Sequence, residues 1–114
     1  MTTLYGISNC DTVRKARKWL ASHDVAYQFH DFRKDGLTSK QVTAWAQAVG
    51  WESLLNRRGH TWRKLADKDK ANLTEEKAIK LILSEPTLIK RPVLDVNKQV
   101  YVGFSEADYQ RLFR

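Results

Sequence analysis

The sequence lacks disulfide partners, long apolar runs and a leader-like start. Its single cysteine excludes an internal disulfide, and its 114 residues suffice to bury a core without disulfide or metal support. No apolar stretch approaches the about 20 residues that span a membrane, and no signal-peptide core follows Met1. We therefore expect one domain over residues 1–114 in the cytoplasm, where thiols stay reduced, with no membrane partner.

Patterns for binding metals and phosphates are also absent. The cysteine and the histidines His23, His30 and His60 show no spacing typical of a zinc site, so we expect no metal. No glycine-rich phosphate loop or serine–histidine arrangement is present. The net charge is +7, but the basic residues are dispersed, which is typical of solvated faces. We expect no nucleic-acid partner, and the positive excess favours small anionic ligands.

The first third of the chain predicts a strand, a helix and a second strand. Residues 3–7 form a short apolar run that is typical of a buried strand. After Asp11 the apolar residues recur at spacings of three and four, which indicates a helix with one face on a core. Residues 25–32 end in an alternating pattern, and residues 33–37 have the composition of a turn. Parallel strands joined by a crossover helix are the usual start of a small α/β domain.

The rest of the chain predicts a helical block, a hairpin and a last helix. Thr38 opens the block with a capping box, and the pair at 97–98 is a two-residue hairpin connection. Ser105 caps the final helix. The predicted order is βαβ, helices, ββα, with the helical block inserted in the fold at about residues 38–84.

Cys10 lies where the first strand ends and the first helix begins. The first N–H groups of a helix lack partners and carry partial positive charge, which stabilises a thiolate relative to a thiol. Arg14 and Lys15 add to this effect, whereas the Asp11 carboxylate would compete for the same N–H groups. Ligands of open parallel sheets bind at such a strand end. Cys10 is therefore a candidate nucleophile, and the alternative is a small buried residue without chemistry.

The second cysteine of a redox Cys-x-x-Cys pair is absent, because Val13 occupies its position. An external thiol would have to resolve an oxidised Cys10, and the abundant cytosolic thiol is glutathione. Glutathione has two carboxylates, which guanidinium groups bind in bidentate fashion. Residues 56–64 are basic and contain no acid, and residues 90–92 offer a further arginine before a proline. A solvent-exposed basic helix start is the alternative interpretation of the first of these segments.

Three motifs together resemble the YffB branch of the arsenate reductase and Spx family. They are residues 5–20 (YGISNCDTVRKARKWL), residues 56–59 (NRRG) with residues 62–65 (WRKL), and residues 90–93 (KRPV). The resemblance covers essentially the whole chain, in order. It implies a thioredoxin-like α/β fold with a helical insertion, a single nucleophilic cysteine and glutathione-dependent thiol reductase activity.

The resemblance also implies roles for individual residues. Cys10 falls on the nucleophile, and Arg91 falls on a substrate-binding arginine before a proline that the family holds in the cis form. The family also has a binding arginine in its helical insertion, and this arginine falls at Arg58 or, less closely, at Arg57. The candidate site residues are Cys10 as the nucleophile and Arg91, Arg58, Arg57, Pro92, Asn9 and Arg14 for binding glutathione or substrate.

The chain departs from the family's other branches at three positions. The arsenate reductases have a histidine where this chain has Gly6, and their last arginine falls at about Phe104. The Spx regulators have a Cys-x-x-Cys switch, which Val13 removes here. We therefore expect a monomeric reductase whose partners are glutathione and an oxidised thiol or small anionic substrate. The alternatives are an arsenate reductase coupled to glutathione or glutaredoxin, and a transcription-associated binding protein of the Spx type.

Overall fold

The structure, a computed structural model, describes residues 1–113. The chain divides into two compact units: the first contains Met1–Asp35 and the segment from Arg91 onward, and the second contains Gly36–Lys90. In chain order the elements are β1 (Thr2–Gly6), α1 (Asp11–Ser22), β2 (Gln28–Asp31), α2 (Phe32–Asp35), α3 (Ser39–Val49), α4 (Trp51–Leu54), α5 (His60–Lys64), α6 (Asp67–Lys70), α7 (Glu75–Ser84), a 3₁₀ turn (Pro86–Leu88), β3 (Val93–Val96), β4 (Gln99–Val102) and α8 (Glu106–Leu112). The predicted order βαβ, helices, ββα is confirmed.

A four-stranded sheet in the order β2-β1-β3-β4 forms the centre of the first unit. β1 pairs in parallel with β2, and this pairing ends with Gly6 opposite Asp31. β3 pairs antiparallel with both β1 and β4. Asn97 and Lys98 have φ angles of 51° and 72°. These angles are those of a two-residue type I′ turn, so the predicted hairpin is confirmed.

Apolar side chains from the sheet and from two helices form the core of the first unit. The buried members of this core are Leu4, Ala16, Trp19, Leu20, Leu94 and Tyr109. The members on α1 follow the predicted spacing of three and four. Tyr109 brings α8 to this core, because its ring meets Trp19 edge-on at 5.6 Å and Phe104 edge-on at 4.7 Å.

The second unit consists of helices, and the first of them, α3, begins with a capping box at its N-cap residue Thr38. The backbone N–H of Gln41 donates to Thr38 Oγ1 at 3.1 Å, and the backbone N–H of Thr38 donates to Gln41 Oε1 at 3.0 Å. The predicted capping box is therefore confirmed. α3 packs against α4 and α7. The predicted insertion at about residues 38–84 lies within this unit, and the single domain stays a prediction.

The predicted turn at residues 33–37 is wrong, because α2 occupies most of it. The Arg33 backbone N–H donates to Asp31 Oδ1 at 2.8 Å, and the Asp31 backbone N–H donates to Asp35 Oδ2 at 3.1 Å. These two local bonds stabilise a helical turn directly after β2. For the same reason β2 ends at Asp31, one residue before the end of the predicted segment 25–32. β2 also begins only at Gln28, one residue after the position that follows the predicted lead-in of residues 25 and 26. α6 is a further short helix that the pattern does not predict.

Candidate functional site

Cys10 is the N-cap residue of α1, as its sequence position predicts. Its backbone is extended, with φ −144° and ψ 124°, and its carbonyl accepts the N–H of Arg14 at 2.9 Å. The thiol is not in a disulfide, is half-buried and makes no capping hydrogen bond. The cysteine therefore stands between the end of β1 and the first N–H groups of a helix, which carry partial positive charge.

Three polar side chains on either side of Cys10 in the chain are joined to one another. Arg14 Nη1 donates to Asp11 Oδ1 at 2.5 Å, and Arg14 Nη2 donates to Asn9 Oδ1 at 3.0 Å. The expected competition from Asp11 is therefore wrong, since its carboxylate is bound by Arg14. Both terminal nitrogens of Arg14 are engaged by these neighbours. These two bonds use two of the five N–H donors of the guanidinium.

Arg91 and Pro92 come directly before β3, at the same end of the sheet as the cysteine. β3 runs antiparallel to β1 with Val93 opposite Tyr5, so the start of β3 lies beside the end of β1 that leads to Cys10. The Arg91–Pro92 peptide bond is cis, as the resemblance implies. Pro92 is buried and Arg91 is half-buried, with its Nε atom inaccessible. The sheet register therefore places at one end of the sheet two motifs, around Cys10 and Arg91, that are far apart in the sequence.

Arg57 and Arg58 lie in the second unit, just before α5, and their surroundings differ. The guanidinium carbon of Arg57 is 5.7 Å from the ring centroid of Trp51 and 5.8 Å from that of Trp62. Both distances are within the range of cation–π attraction. Arg58 is exposed, and within residues 1–113 its guanidinium has no hydrogen-bond or ion-pair partner. Arg57 is thus held by two indole rings, while Arg58 is available to an anion.

Asp31 is a candidate that the sequence patterns do not reveal. It is 6% exposed and is the one buried charged side chain in the described part of the chain. Burial raises the pKa of its carboxyl. Hydrogen bonds from the backbone of Arg33, Lys34 and Ser8, together with the charge of Lys34, lower the pKa by a larger amount, so the pKa lies below the usual range. Ser8 is in the loop that leads to Cys10. Its one feature in the sequence is that it is an acid near the end of the alternating segment, and this feature alone does not single it out.

The described residues offer no cluster of metal ligands, and the cleft nearest to α1 does not include the cysteine. Within residues 1–113, no group of three or more histidine, cysteine, aspartate or glutamate side chains could hold a metal ion. A cleft of about 830 Å³ lies beside α1 and α8, and Thr12 and Phe104 contribute to its lining, but Cys10 does not. None of the helices described is both long and apolar enough to span a membrane.

Comparison with known proteins gives matches over nearly the whole chain. The ArsC family model matches residues 5–112. An uncharacterized protein of Haemophilus influenzae is 43% identical over 113 residues, which is 99% of each chain. The global transcriptional regulator Spx of Streptococcus mutans is 33% identical over 108 residues, or 93% of this chain and 78% of Spx. Both relatives therefore match this chain along nearly its whole length rather than over a single segment.

Two solved structures show the same fold at high identity. The YffB protein is 45% identical and superposes over 100% of both chains with a TM-score of 0.97. An arsenate reductase related protein from Brucella melitensis is 43% identical, with 99% of this chain and 94% of that chain covered and a TM-score of 0.80. The expected α/β, thioredoxin-like fold with a helical insertion is confirmed.

Proposed function

Because the chain belongs to the ArsC family, we propose that it is a glutathione-dependent thiol reductase of the cytoplasm with Cys10 as its nucleophile. The observation that carries this proposal is the position of Cys10 as the N-cap of α1, with a thiol that makes no capping bond. A thiolate there is stabilised by the first N–H groups of the helix, and thiolates are the attacking form in disulfide exchange.

The proposed reaction consists of two exchanges at sulfur. The Cys10 thiolate attacks the glutathione sulfur of a mixed disulfide RS–SG, a bond forms between the two sulfurs, and RS⁻ leaves with the electron pair and takes a proton from water. A second glutathione thiolate then attacks the glutathione sulfur of the Cys10 adduct. This step releases oxidised glutathione and regenerates the Cys10 thiolate. The net reaction is RS–SG + GSH → RSH + GSSG.

Arg91 is proposed to bind a carboxylate of the glutathione moiety. This role is supported by the register that brings the start of β3 beside the end of β1. Asn9 and Arg14 flank the nucleophile, and we propose that Asn9 orients the bound tripeptide while Arg14 acts through its bonds to its neighbours. Carboxylate binding by Arg58 or Arg57 stays a prediction. We propose that the chain acts as a monomer and that the reaction requires no metal ion.

The test is turnover of the mixed disulfide of glutathione and 2-mercaptoethanol by the purified chain. Formation of oxidised glutathione is followed with glutathione reductase and NADPH. We expect turnover by the wild-type chain and none by Cys10→Ser, because the hydroxyl cannot form the mixed disulfide. Equal rates for the two proteins would refute the proposal.

Two further assays on the same preparations test the alternatives. Glutathione-dependent production of arsenite from arsenate, at a rate above that of the mixed disulfide, would replace the proposal with arsenate reduction. Binding of purified RNA polymerase that persists in Cys10→Ser, without mixed-disulfide turnover, would favour a regulator like the Spx relatives. We expect neither result.

A further inference from the structure

The cleft beside α1 and α8 has no part in the proposed function. Its volume is about 830 Å³, and α1 contributes to its lining from Thr12 to His23. At 1.5 Å per residue, these two positions are about 16 Å apart along the helix. An extended chain of about five residues has the same length. The cleft is therefore longer than a single small ion requires, and it matches a short stretch of extended peptide.

One face of α1 forms the first wall of this cleft. The residues that line it at spacings of three and four are Thr12, Lys15, Trp19 and Ser22, and Lys18 lies beside them. The one acid of α1, Asp11, is bound by Arg14. The positive charges of Lys15 and Lys18 are therefore not neutralised from their own helix.

Several polar groups of the cleft have no partner among the described residues. Lys15 and Lys18 are exposed, and within residues 1–113 their ammonium groups join no ion pair and no hydrogen bond. The Thr12 hydroxyl and the Gln110 side-chain amide likewise make no hydrogen bond within this range. The cleft therefore offers donors for carboxylates and for the peptide groups of a bound chain.

The charges of the lining distinguish between classes of ligand. The lining holds the two lysines on α1 and one carboxylate, Glu106, on α8. A nucleic-acid strand carries a negative charge at each nucleotide, so some of its phosphates would lie against Glu106. A peptide can carry acids only where they meet the lysines. Trp19 and Phe104 add apolar surface that suits the remaining part of such a chain.

We propose that the cleft is a docking site for an extended acidic segment of a protein partner. Lys15 and Lys18 are three positions apart on a helix, which places their Cβ atoms about 5 to 6 Å apart. Alternate side chains of an extended chain lie on one side, about 6.5 to 7 Å apart. Two acids separated by one residue can therefore each pair with one lysine, and this charge complementarity selects the partner. The inference goes beyond the proposed function, because Cys10 does not line the cleft.

The test is an NMR titration of the isotope-labelled full chain with a blocked peptide of about five residues that alternates aspartate and serine. A second peptide has asparagine in place of each aspartate. We expect saturable shifts of the Thr12, Lys15 and Gln110 amide signals with the aspartate peptide and none with the asparagine peptide. The affinity should fall as sodium chloride is added, because salt screens exposed charges.

Three variants locate the binding site. Lys15→Ala combined with Lys18→Ala should weaken binding of the aspartate peptide about three- to tenfold, as expected for the loss of two exposed ion pairs. Lys40→Ala combined with Lys68→Ala is the matched control, since it removes the same charge from exposed positions of the second unit. This control should bind as wild type does. Glu106→Gln removes the opposing carboxylate and should strengthen binding about two- to threefold.

Equal binding of the two peptides, shifts confined to other residues, or an equal loss of affinity in both lysine pairs would overturn the inference. Inorganic phosphate or a short oligonucleotide that binds the cleft as tightly as the aspartate peptide would overturn it as well. The titration involves no chemistry at Cys10, and Cys10→Ser should bind the peptide as wild type does. A chain that fails to turn over mixed disulfides would therefore refute the proposed function and leave the titration result intact.

Discussion

Gly6 on β1 lies directly against Val13 on α1. A β carbon on Gly6 would be 2.7 Å from Val13 Cγ2 and 3.2 Å from Cγ1, and Val13 is fully buried. These are two of the positions where the chain departs from the arsenate reductase and Spx branches. The resemblance implies a histidine at position 6 in an arsenate reductase, and such a side chain would have no space beside this valine.

Gly6→Ala should destabilise the chain. The new methyl group would overlap Val13, and overpacking of a core costs about 1 to 3 kcal/mol in the free energy of unfolding. Urea unfolding measures this free energy. Gly6→Ala combined with Val13→Ala is the control, because the smaller side chain relieves the overlap. The double variant should be more stable than the sum of the two single effects predicts, and additive effects would contradict the contact.

Arg91→Ala should weaken the use of glutathione. Loss of a charge-assisted hydrogen bond to a carboxylate costs about 1.5 to 3 kcal/mol, which corresponds to an increase of at least about tenfold in KM for glutathione. Arg91→Lys keeps the charge but not the bidentate geometry, so its KM should lie between the two. An unchanged KM in a folded Arg91→Ala variant would remove Arg91 from the site.

Arg58→Ala and Arg57→Ala should have different effects. Arg58→Ala should lower kcat/KM for the mixed disulfide by about tenfold with little change in stability, because this guanidinium is available to an anion. Arg57→Ala should lower the free energy of unfolding by about 0.5 to 1 kcal/mol, since it loses two indole contacts. Steady-state kinetics and urea unfolding on both variants measure the contrast. The reverse pattern would assign the ligand to Arg57.

Tyr109→Phe should leave the chain as stable as wild type or more stable. Within the described residues, the Tyr109 hydroxyl is buried without a hydrogen-bond partner. Leaving such a group unsatisfied costs about 1 to 3 kcal/mol. Tyr101→Phe is the control, because the Tyr101 hydroxyl donates to Gln99 Oε1 at 2.8 Å. Removal of the Tyr101 hydroxyl should be neutral or slightly destabilising. A large loss of stability in Tyr109→Phe would contradict this account.

The same tyrosine also predicts a dependence on alkaline pH. Burial raises the pKa of Tyr109, so above about pH 10 the unfolded chain loses this proton while the folded chain keeps it. The stability of the wild-type chain should therefore fall as the pH rises above that value. The fall should be smaller in Tyr109→Phe.

At acid pH, the stability that Asp31 contributes should be lost. The pKa of its carboxyl is lowered in the folded chain, so its contribution is complete above the unfolded value of about 4 and declines as the pH falls below it. The difference in unfolding free energy between wild type and Asp31→Asn should be constant near neutrality and shrink below about pH 4. Urea titrations across this range measure it, and a constant difference would show that the charge is not involved.

Local patterns were sufficient for most of the elements. The capping box at Thr38, the turn at residues 97–98 and the apolar spacing of α1 depend on residues a few positions apart. The pattern does not predict α2, because two local bonds, from the Asp31 N–H to Asp35 and from the Arg33 N–H to Asp31, turn a loop-like composition into a helix. Short helices of this kind have too few residues for a periodic signal.

The sequence by itself determined that Cys10 stands at the start of a helix and that it has no partner cysteine, since both follow from neighbouring residues. The tertiary structure decided which distant residues lie at the same end of the sheet as this cysteine. The antiparallel pairing of β3 with β1 brings Arg91 to its end of the sheet, and the parallel pairing of β2 with β1 places Asp31 opposite Gly6. Such contacts depend on strand register, which is set by the packing of the whole sheet rather than by any local pattern.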